Sequence, residues 1–171
     1  RMKKGGRRVH RASKIPGAVS IDQRPEVVSL RARVGDWETD NVIGKQTDKT
    51  ALSVTVERLT RLTILSLTSK SADSKAKNLI KRLAEFPDAA RSTLTADNGA
   101  ENTNHEDVKQ SLGLDVFFCH AYHSWEKGTV ENTNGRIRRH IPKGLSIDTL
   151  AEDQIKELEY RLNSTPRKCL G

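Results

Sequence analysis

A chain of 171 residues is the size of one domain with a single core. With 35% hydrophobic and 30% charged residues it is polar, yet its apolar residues recur periodically, which excludes a disordered chain. No apolar run nears the roughly 18 residues of a membrane span, no signal-peptide core follows the basic start, and Cys119 and Cys169 exclude a disulfide framework, so a cytoplasmic protein without a membrane partner is expected.

The net charge of +8 is concentrated at one end. Residues 1–14 carry seven positive charges (Arg1, Lys3, Lys4, Arg7, Arg8, Arg11, Lys14) and no acid, leaving 23 basic against 22 acidic residues beyond them. Residues 1–33 are expected to be a basic arm and linker, with Pro16 and Pro25 discouraging regular structure, and 34–171 the folded core. An arm of this kind suits a polyanion, with Arg7, Arg8 and Arg11 as DNA contacts; a solvated tail is the alternative. The start at Arg1 suggests a piece of something longer.

Three strands open the core: Trp37 to Ile43, Ala51 to Val56 and Leu62 to Leu67. In the second, Leu52, Val54 and Val56 alternate with Ser53 and Thr55, the period of a half-buried strand. They lie close enough in sequence for an antiparallel meander. Ala72, Ala76, Leu79, Ile80 and Leu83 then recur at helical spacing, with Ser71 as N-cap and Pro87 as stop. Ser92 to Ala96 is a fourth strand, ending in the turn sequence Asp97-Asn98-Gly99. Asn104 caps a short helix stopped by Gly113. Asp115 to Cys119 is a fifth strand, and helices follow over about 129–139 and 149–162. The order βββ-α-β-α-β-α-α implies an α/β fold, a mixed five-stranded sheet with helices on its faces.

Three acids stand out by placement. Asp40 lies in the first strand, Asp97 at the tip of the fourth and Glu131 near the start of a helix. Such a trio suits two divalent ions held by hard oxygen ligands astride a scissile phosphate, although in a chain with 22 acids spacing alone would yield some trio by chance.

The surrounding residues narrow the choice. Trp37-Glu38-Thr39-Asp40 with Val42-Ile43-Gly44-Lys45 resembles the W-E-x-D strand of insertion-sequence transposases of the IS-thirty family. Thr95-Ala96-Asp97-Asn98-Gly99-x-Glu101 resembles the second-acid motif of that family. The run from Trp125-Glu126-Lys127-Gly128 to Glu131-Asn132-Thr133-Asn134-Gly135 resembles the third, and 33 residues separate Asp97 from Glu131, the interval of the family's DDE triad. The similarity covers about 15–171. It departs at Asn102, where an aromatic is usual, and in the loop 120–125, which lacks the usual prolines.

The resemblance implies a ribonuclease-H-like, retroviral-integrase-like fold. It also implies catalysis by Asp40, Asp97 and Glu131 as ligands of two Mg²⁺ (Mn²⁺ substituting). The expected activity is cleavage at transposon ends and transfer of the 3′-hydroxyl into target DNA, in a homo-oligomer assembled on terminal inverted repeats in the bacterial nucleoid. The upstream helix-turn-helix region of the family has no counterpart here, so the chain is read as the isolated catalytic core. A hydrolytic nuclease of the same fold and a non-catalytic DNA-binding or assembly module are the alternatives.

Other residues admit two readings. Glu38 shares the strand face of Asp40 and suits either support of a metal-bound water or a structural ion pair; Asn98 supports the turn that carries Asp97. Arg138 lies two helical turns beyond Glu131 and is expected to grip a phosphate, with Lys127, Arg136, Arg139 and Lys143 as further DNA contacts. Tyr122 and Trp125 suit stacking on an unpaired base or bracing of their loop. His120 and His123 form an H-x-x-H beside Cys119 that invites zinc but lacks a fourth ligand at suitable spacing; a DNA-contacting or acid–base histidine and an exposed loop histidine are the other readings. Gly99 is expected at positive φ, and Asp48 and Glu101 are expected at the surface.

Overall fold

Strands β1 (Asp36–Val42), β2 (Thr50–Glu57) and β3 (Thr63–Ser69) form the expected meander, and β4 (Thr93–Ala96) and β5 (Asp115–Phe118) extend it in parallel beyond β1. The sheet order is β3-β2-β1-β4-β5. The structure, a computed structural model, describes residues 15–121 and 123–170 apart from the side chain of Ser124, so the expectations for Arg7, Arg8, Arg11 and Tyr122 lie outside the described residues.

Helices cover both faces. α2 (Ala72–Leu83) and α3 (His105–Leu112) bury Ala76, Leu79, Leu83, Val108 and Leu112 against Trp37, Ile64, Leu94, Val116 and Phe118. On the opposite face, α4 (Gly128–Ile137) and α5 (Glu152–Ser164) bury Val130, Ile137, Ile155, Leu158 and Leu162 against Val42, Leu52, Val54, Val56 and Leu65. Each such Leu or Ile contributes about 1.5–3 kcal/mol of burial. α2 begins and ends where its sequence dictates: Ser71 accepts the Ser74 N–H at 3.2 Å, and the last apolar residue is Leu83. Gly113 closes α3 at φ 64°.

Two expectations are corrected. β2 is buried on both faces, Ser53 and Thr55 included, because it is an interior strand with α2 over its polar side. Residues 15–33, expected as linker, dock on the core: Ile15 and Val28 are buried, α1 (Glu26–Leu30) forms after Pro25, and the Phe118 N–H donates to the Val19 carbonyl at 2.8 Å. That contact continues the β5 edge. The β3 edge is covered by side chains: Glu159 Oε2 accepts from the Leu65 N–H at 2.5 Å, and Asn163 both accepts from and donates to the Thr63 backbone. Among the described residues no helix is long and apolar enough to cross a membrane.

Candidate active site

Parallel pairing of β1 with β4 decides which acids meet. Glu38 lies opposite Thr95. Two residues further along each strand stand Asp40 and Asp97, on the same face by the period of two, at neighbouring strand ends. That face is the one α4 covers.

A lysine joins them. The Lys127 ammonium lies 2.8 Å from Asp97 Oδ2 and 3.3 Å from Asp40 Oδ1, and donates to the Thr39 carbonyl at 3.4 Å. Lys127, expected at DNA, is buried in this arrangement. Burial works against its charge, but the two carboxylates outweigh it and hold the ammonium above its ordinary pKa. For Asp97, burial likewise opposes the charge, and Lys127 with the Gly99 N–H keeps the carboxyl below the usual aspartate value.

Each aspartate is also oriented by amides. Asp40 Oδ2 accepts from Asn134 Nδ2 at 3.0 Å, and its Oδ1 accepts the Asn41 N–H at 2.9 Å. Asp97 Oδ1 accepts from Asn102 Nδ2 at 2.9 Å and from the Gly99 N–H at 3.1 Å. Asn102, a departure from the motif, is thus a support of Asp97. Asn98 Nδ2 donates to the Cys119 carbonyl at 2.6 Å, tying the turn to the end of β5. Gly99 is not at positive φ (φ −65°, ψ 144°); instead the Glu101 carboxylate fills the space a Cβ would need. Asp48, expected at the surface, is buried and accepts from the Lys45 and Ile147 N–H groups, each at 2.8 Å.

Glu131 shares its face of α4 with Asn134, three residues on, and Lys127 is the N-cap residue of that helix; the Asn134 and Lys127 side chains both touch Asp40. The height of α4 is set by Glu38. This buried carboxylate pairs with the buried Arg58 and accepts the Val130 N–H at 2.9 Å, one residue before Glu131. Both of its oxygens are therefore engaged in structure. Among the described residues, the three ligand atoms found within 4.8 Å of one another belong to His120, His123 and Glu126, not to the three expected acids.

That histidine loop is a carboxylate clamp. His120 Nδ1 meets Glu126 at 2.8 Å and its Nε2 meets Asp22 at 2.9 Å, so both ring nitrogens face carboxylates and the imidazole is held above its ordinary pKa. His123 stacks on Trp125 at 4.4 Å, leaving the indole 66% exposed. Arg138 donates to the carbonyls of Ile43 at 2.7 Å and Ile141 at 3.5 Å, tying the end of α4 to the segment after β1. Arg139 and Lys143 are exposed, and Arg136 lies on the other side of α4.

No family model matches the chain. The chain is 44% identical over 157 residues to the transposase for insertion sequence element IS4351 of Bacteroides fragilis, covering 92% of this chain and 48% of that protein. It is 34% identical over 162 residues to the transposase for IS1086 of Cupriavidus metallidurans (94% and 48%), and 33% identical over 157 residues to transposase InsI for IS30C of Escherichia coli (91% and 40%). The chain thus spans less than half the length of these relatives. Among solved structures, the catalytic core domain of BIV integrase superposes with a TM-score of 0.53 at 21% identity, covering 78% of this chain and 84% of that one. A chain of the simian T-cell lymphotropic virus intasome in complex with PP2A regulatory subunit B56 gamma superposes at 0.54 and 16% identity (80% and 56%). The fold is that of the integrase catalytic cores, ribonuclease-H-like, and over the matched segment the chain is similar to insertion-sequence transposases, those of the IS30 elements among them.

Proposed function

We propose that this chain is the catalytic core of a DNA transposase that cuts at transposon ends and joins the freed 3′-hydroxyl to target DNA. The observation that carries the reading is the pair Asp40 and Asp97, held side by side around one cation beneath the α4 face that bears Glu131. Each half of the reaction exchanges one P–O bond for another: water or a 3′-hydroxyl attacks phosphorus, loses its proton, and a 3′-oxygen leaves. No covalent protein intermediate is needed.

The residues fit divalent ions. The Lys127 ammonium is a stand-in cation between two carboxylates, and the donor set is the hard oxygen of Asp40, Asp97 and Glu131, which suits two Mg²⁺ or Mn²⁺. Bound there, such ions supply activation of the attacking oxygen and stabilisation of the leaving one. Asn134 and the Asn41 N–H orient Asp40, Asn102 and the Gly99 N–H orient Asp97, and the Glu38–Arg58 pair holds the first turn of α4 and so the position of Glu131. The substrates on this reading are terminal inverted repeats and target DNA, handled by a homo-oligomer assembled on DNA.

Asp40→Asn, Asp97→Asn and Glu131→Gln test the reading with precut and uncut transposon-end duplexes. Each variant should lose cleavage and strand transfer while keeping its circular-dichroism spectrum, and each should bind Mn²⁺ more weakly by paramagnetic resonance. Near wild-type turnover in any variant would remove that residue from the site. Cleavage without joining of a precut end would leave a hydrolytic nuclease instead.

A further inference from the structure

α4 carries a second polar stripe. Thr129, Asn132, Thr133 and Arg136 lie roughly 180° round the helix from Glu131 and Asn134. They line a cleft of about 490 Å³ closed by Arg31 after α1, Arg61 in the β2–β3 turn, and Arg167 and Lys168 after α5. Five cations meet here, and no acid is among the lining residues.

Two neighbouring arginines are paired, whereas Arg24, among the described residues, donates only to the hydroxyls of Thr95 and Ser29. Arg58 pairs with Glu38 and Arg33 with Asp36. Among the described residues, none of Arg31, Arg61, Arg136, Arg167 and Lys168 has a carboxylate within 4.0 Å. The Arg61 and Arg31 guanidiniums both donate to the Thr129 hydroxyl, at 2.9 and 3.4 Å, so two like charges share one acceptor. Among the described residues, Arg31 and Arg61 are also the two non-glycine residues at positive φ, 52° and 65°. Left-handed backbone is uncommon away from glycine; Arg31 adopts it as the C-cap of α1 and Arg61 in the β2–β3 turn, and both guanidiniums end at Thr129. Burial and then neighbouring guanidiniums pull Arg31 and Arg167 below the ordinary arginine pKa, the direction expected of cations without a counter-ion. Planar guanidiniums around a groove suit phosphate oxygens.

We propose that this cleft, on the far side of α4 from the carboxylates, is a second DNA-binding surface that holds a phosphodiester backbone by charge rather than by base readout. The choice of DNA among polyanions rests on the function proposed above; the cleft itself recognises consecutive phosphates. DNA engaged here and at the carboxylates would straddle α4, so that the segment being held differs from the phosphodiester being cut.

Cys169 reports on the cleft. Its thiol is exposed and lines the cleft, whereas Cys119 is buried, with its thiol pushed up to about 12 by that burial. Alkylation of Cys169 by an uncharged maleimide is followed by mass spectrometry with and without a short random-sequence duplex, while anisotropy of a labelled duplex reports binding. The duplex should slow alkylation of Cys169, and should do so equally in Asp40→Asn. In Arg136→Gln/Lys168→Gln, which leaves the Thr129 contacts intact, protection should fall, and the slope of log affinity against log salt should flatten by roughly 0.9 for each contact removed. Bound duplex without protection of Cys169 would overturn this inference and leave the transposase reading standing. Equal protection by polyglutamate would overturn the assignment to a nucleic-acid backbone. Protection retained together with loss of all cleavage chemistry from the wild-type protein would instead remove the transposase reading and keep the cleft.

Discussion

The two sides of α4 solve opposite electrostatic problems with the same helix. Towards β1 and β4, two aspartates converge and their repulsion is relieved from within the chain by Lys127. Away from them, four arginines and a lysine converge, and no carboxylate among the described residues pairs with them, although Arg167 also donates to the Leu162 and Arg61 carbonyls. The difference lies in what each side needs. A carboxylate pair that lacked its ammonium would still suit a small hard cation, so the protein supplies a substitute for that cation. A row of guanidiniums is matched by an extended anion, which a folded domain of this size does not contain. Charge that is compensated internally points to an exchangeable ion; charge left uncompensated points to a macromolecular partner.

The largest expected effect breaks the acidic side outright. Removing one carboxylate ligand, as in Asp97→Asn, should forfeit several kcal/mol of transition-state stabilisation, on the order of a thousandfold in single-turnover strand transfer. Stability should fall by about 1–3 kcal/mol at most, because the buried Lys127 loses its nearer carboxylate and keeps Asp40.

Glu38→Gln should do the reverse, damaging the fold first. It strands the buried Arg58 guanidinium and weakens the bond to the Val130 N–H, an expected loss of about 3–5 kcal/mol in urea unfolding. Glu38→Leu/Arg58→Met should recover much of that loss. If Glu38→Gln instead abolished activity at unchanged stability, Glu38 would belong with the ligands rather than beneath them.

Lys127→Met sharpens the comparison by making the acidic side as uncompensated as the basic one. Without metal it should destabilise by about 1–3 kcal/mol, discounted because Asp97 is partly exposed. Added Mn²⁺ should raise its Tm more than that of the wild type, since no ammonium competes for the carboxylates. A smaller Mn²⁺ response than wild type would mean that Lys127 helps hold the occupied state.

Arg138 follows the last turn of α4 on the side of Glu131, and its carbonyl contacts give it a structural task. Arg138→Ala should lower stability by about 1 kcal/mol in urea unfolding. Strand transfer falling at unchanged Tm, for all end sequences alike, would restore the phosphate role.

The smallest effect is a titration. His120, held by Glu126 and Asp22, has its pKa raised above the usual 6.5. A raised folded-state pKa adds stability that is complete below the unfolded value and is lost as pH rises through the folded one. Proton resonance of the His120 ring should therefore titrate above 6.5. Asp22→Asn and Glu126→Gln should each lower the midpoint, and an unmoved midpoint would show that the clamp is open in solution.

Much of this was legible in the residues. The α2 boundaries follow from Ser71, the apolar spacing and Pro87, because helix capping and amphipathicity are local. The strands were located to within about two residues by alternation. Asp40, Asp97 and Glu131 stand out first by placement and then by the motifs that flank them. Their supports do not: Asn102 and Arg58 carry no local signature, and each acts on a residue that sequence distance hides. Lys127 reads in sequence as a DNA contact, whereas the fold buries it between Asp40 and Asp97.

Sequence by itself determined the elements and their order and marked three acids as candidates, since propensity, period and motif are properties of short windows. Only tertiary structure decided that β1 and β4 run parallel with Glu38 opposite Thr95, which is what makes Asp40 and Asp97 neighbours. It also decided that residues 15–33 pack on the core and that Arg31, Arg61, Arg136, Arg167 and Lys168 meet in one cleft. These outcomes depend on which faces are buried against which. Burial is a sum over distant segments, and no window of sequence contains that sum.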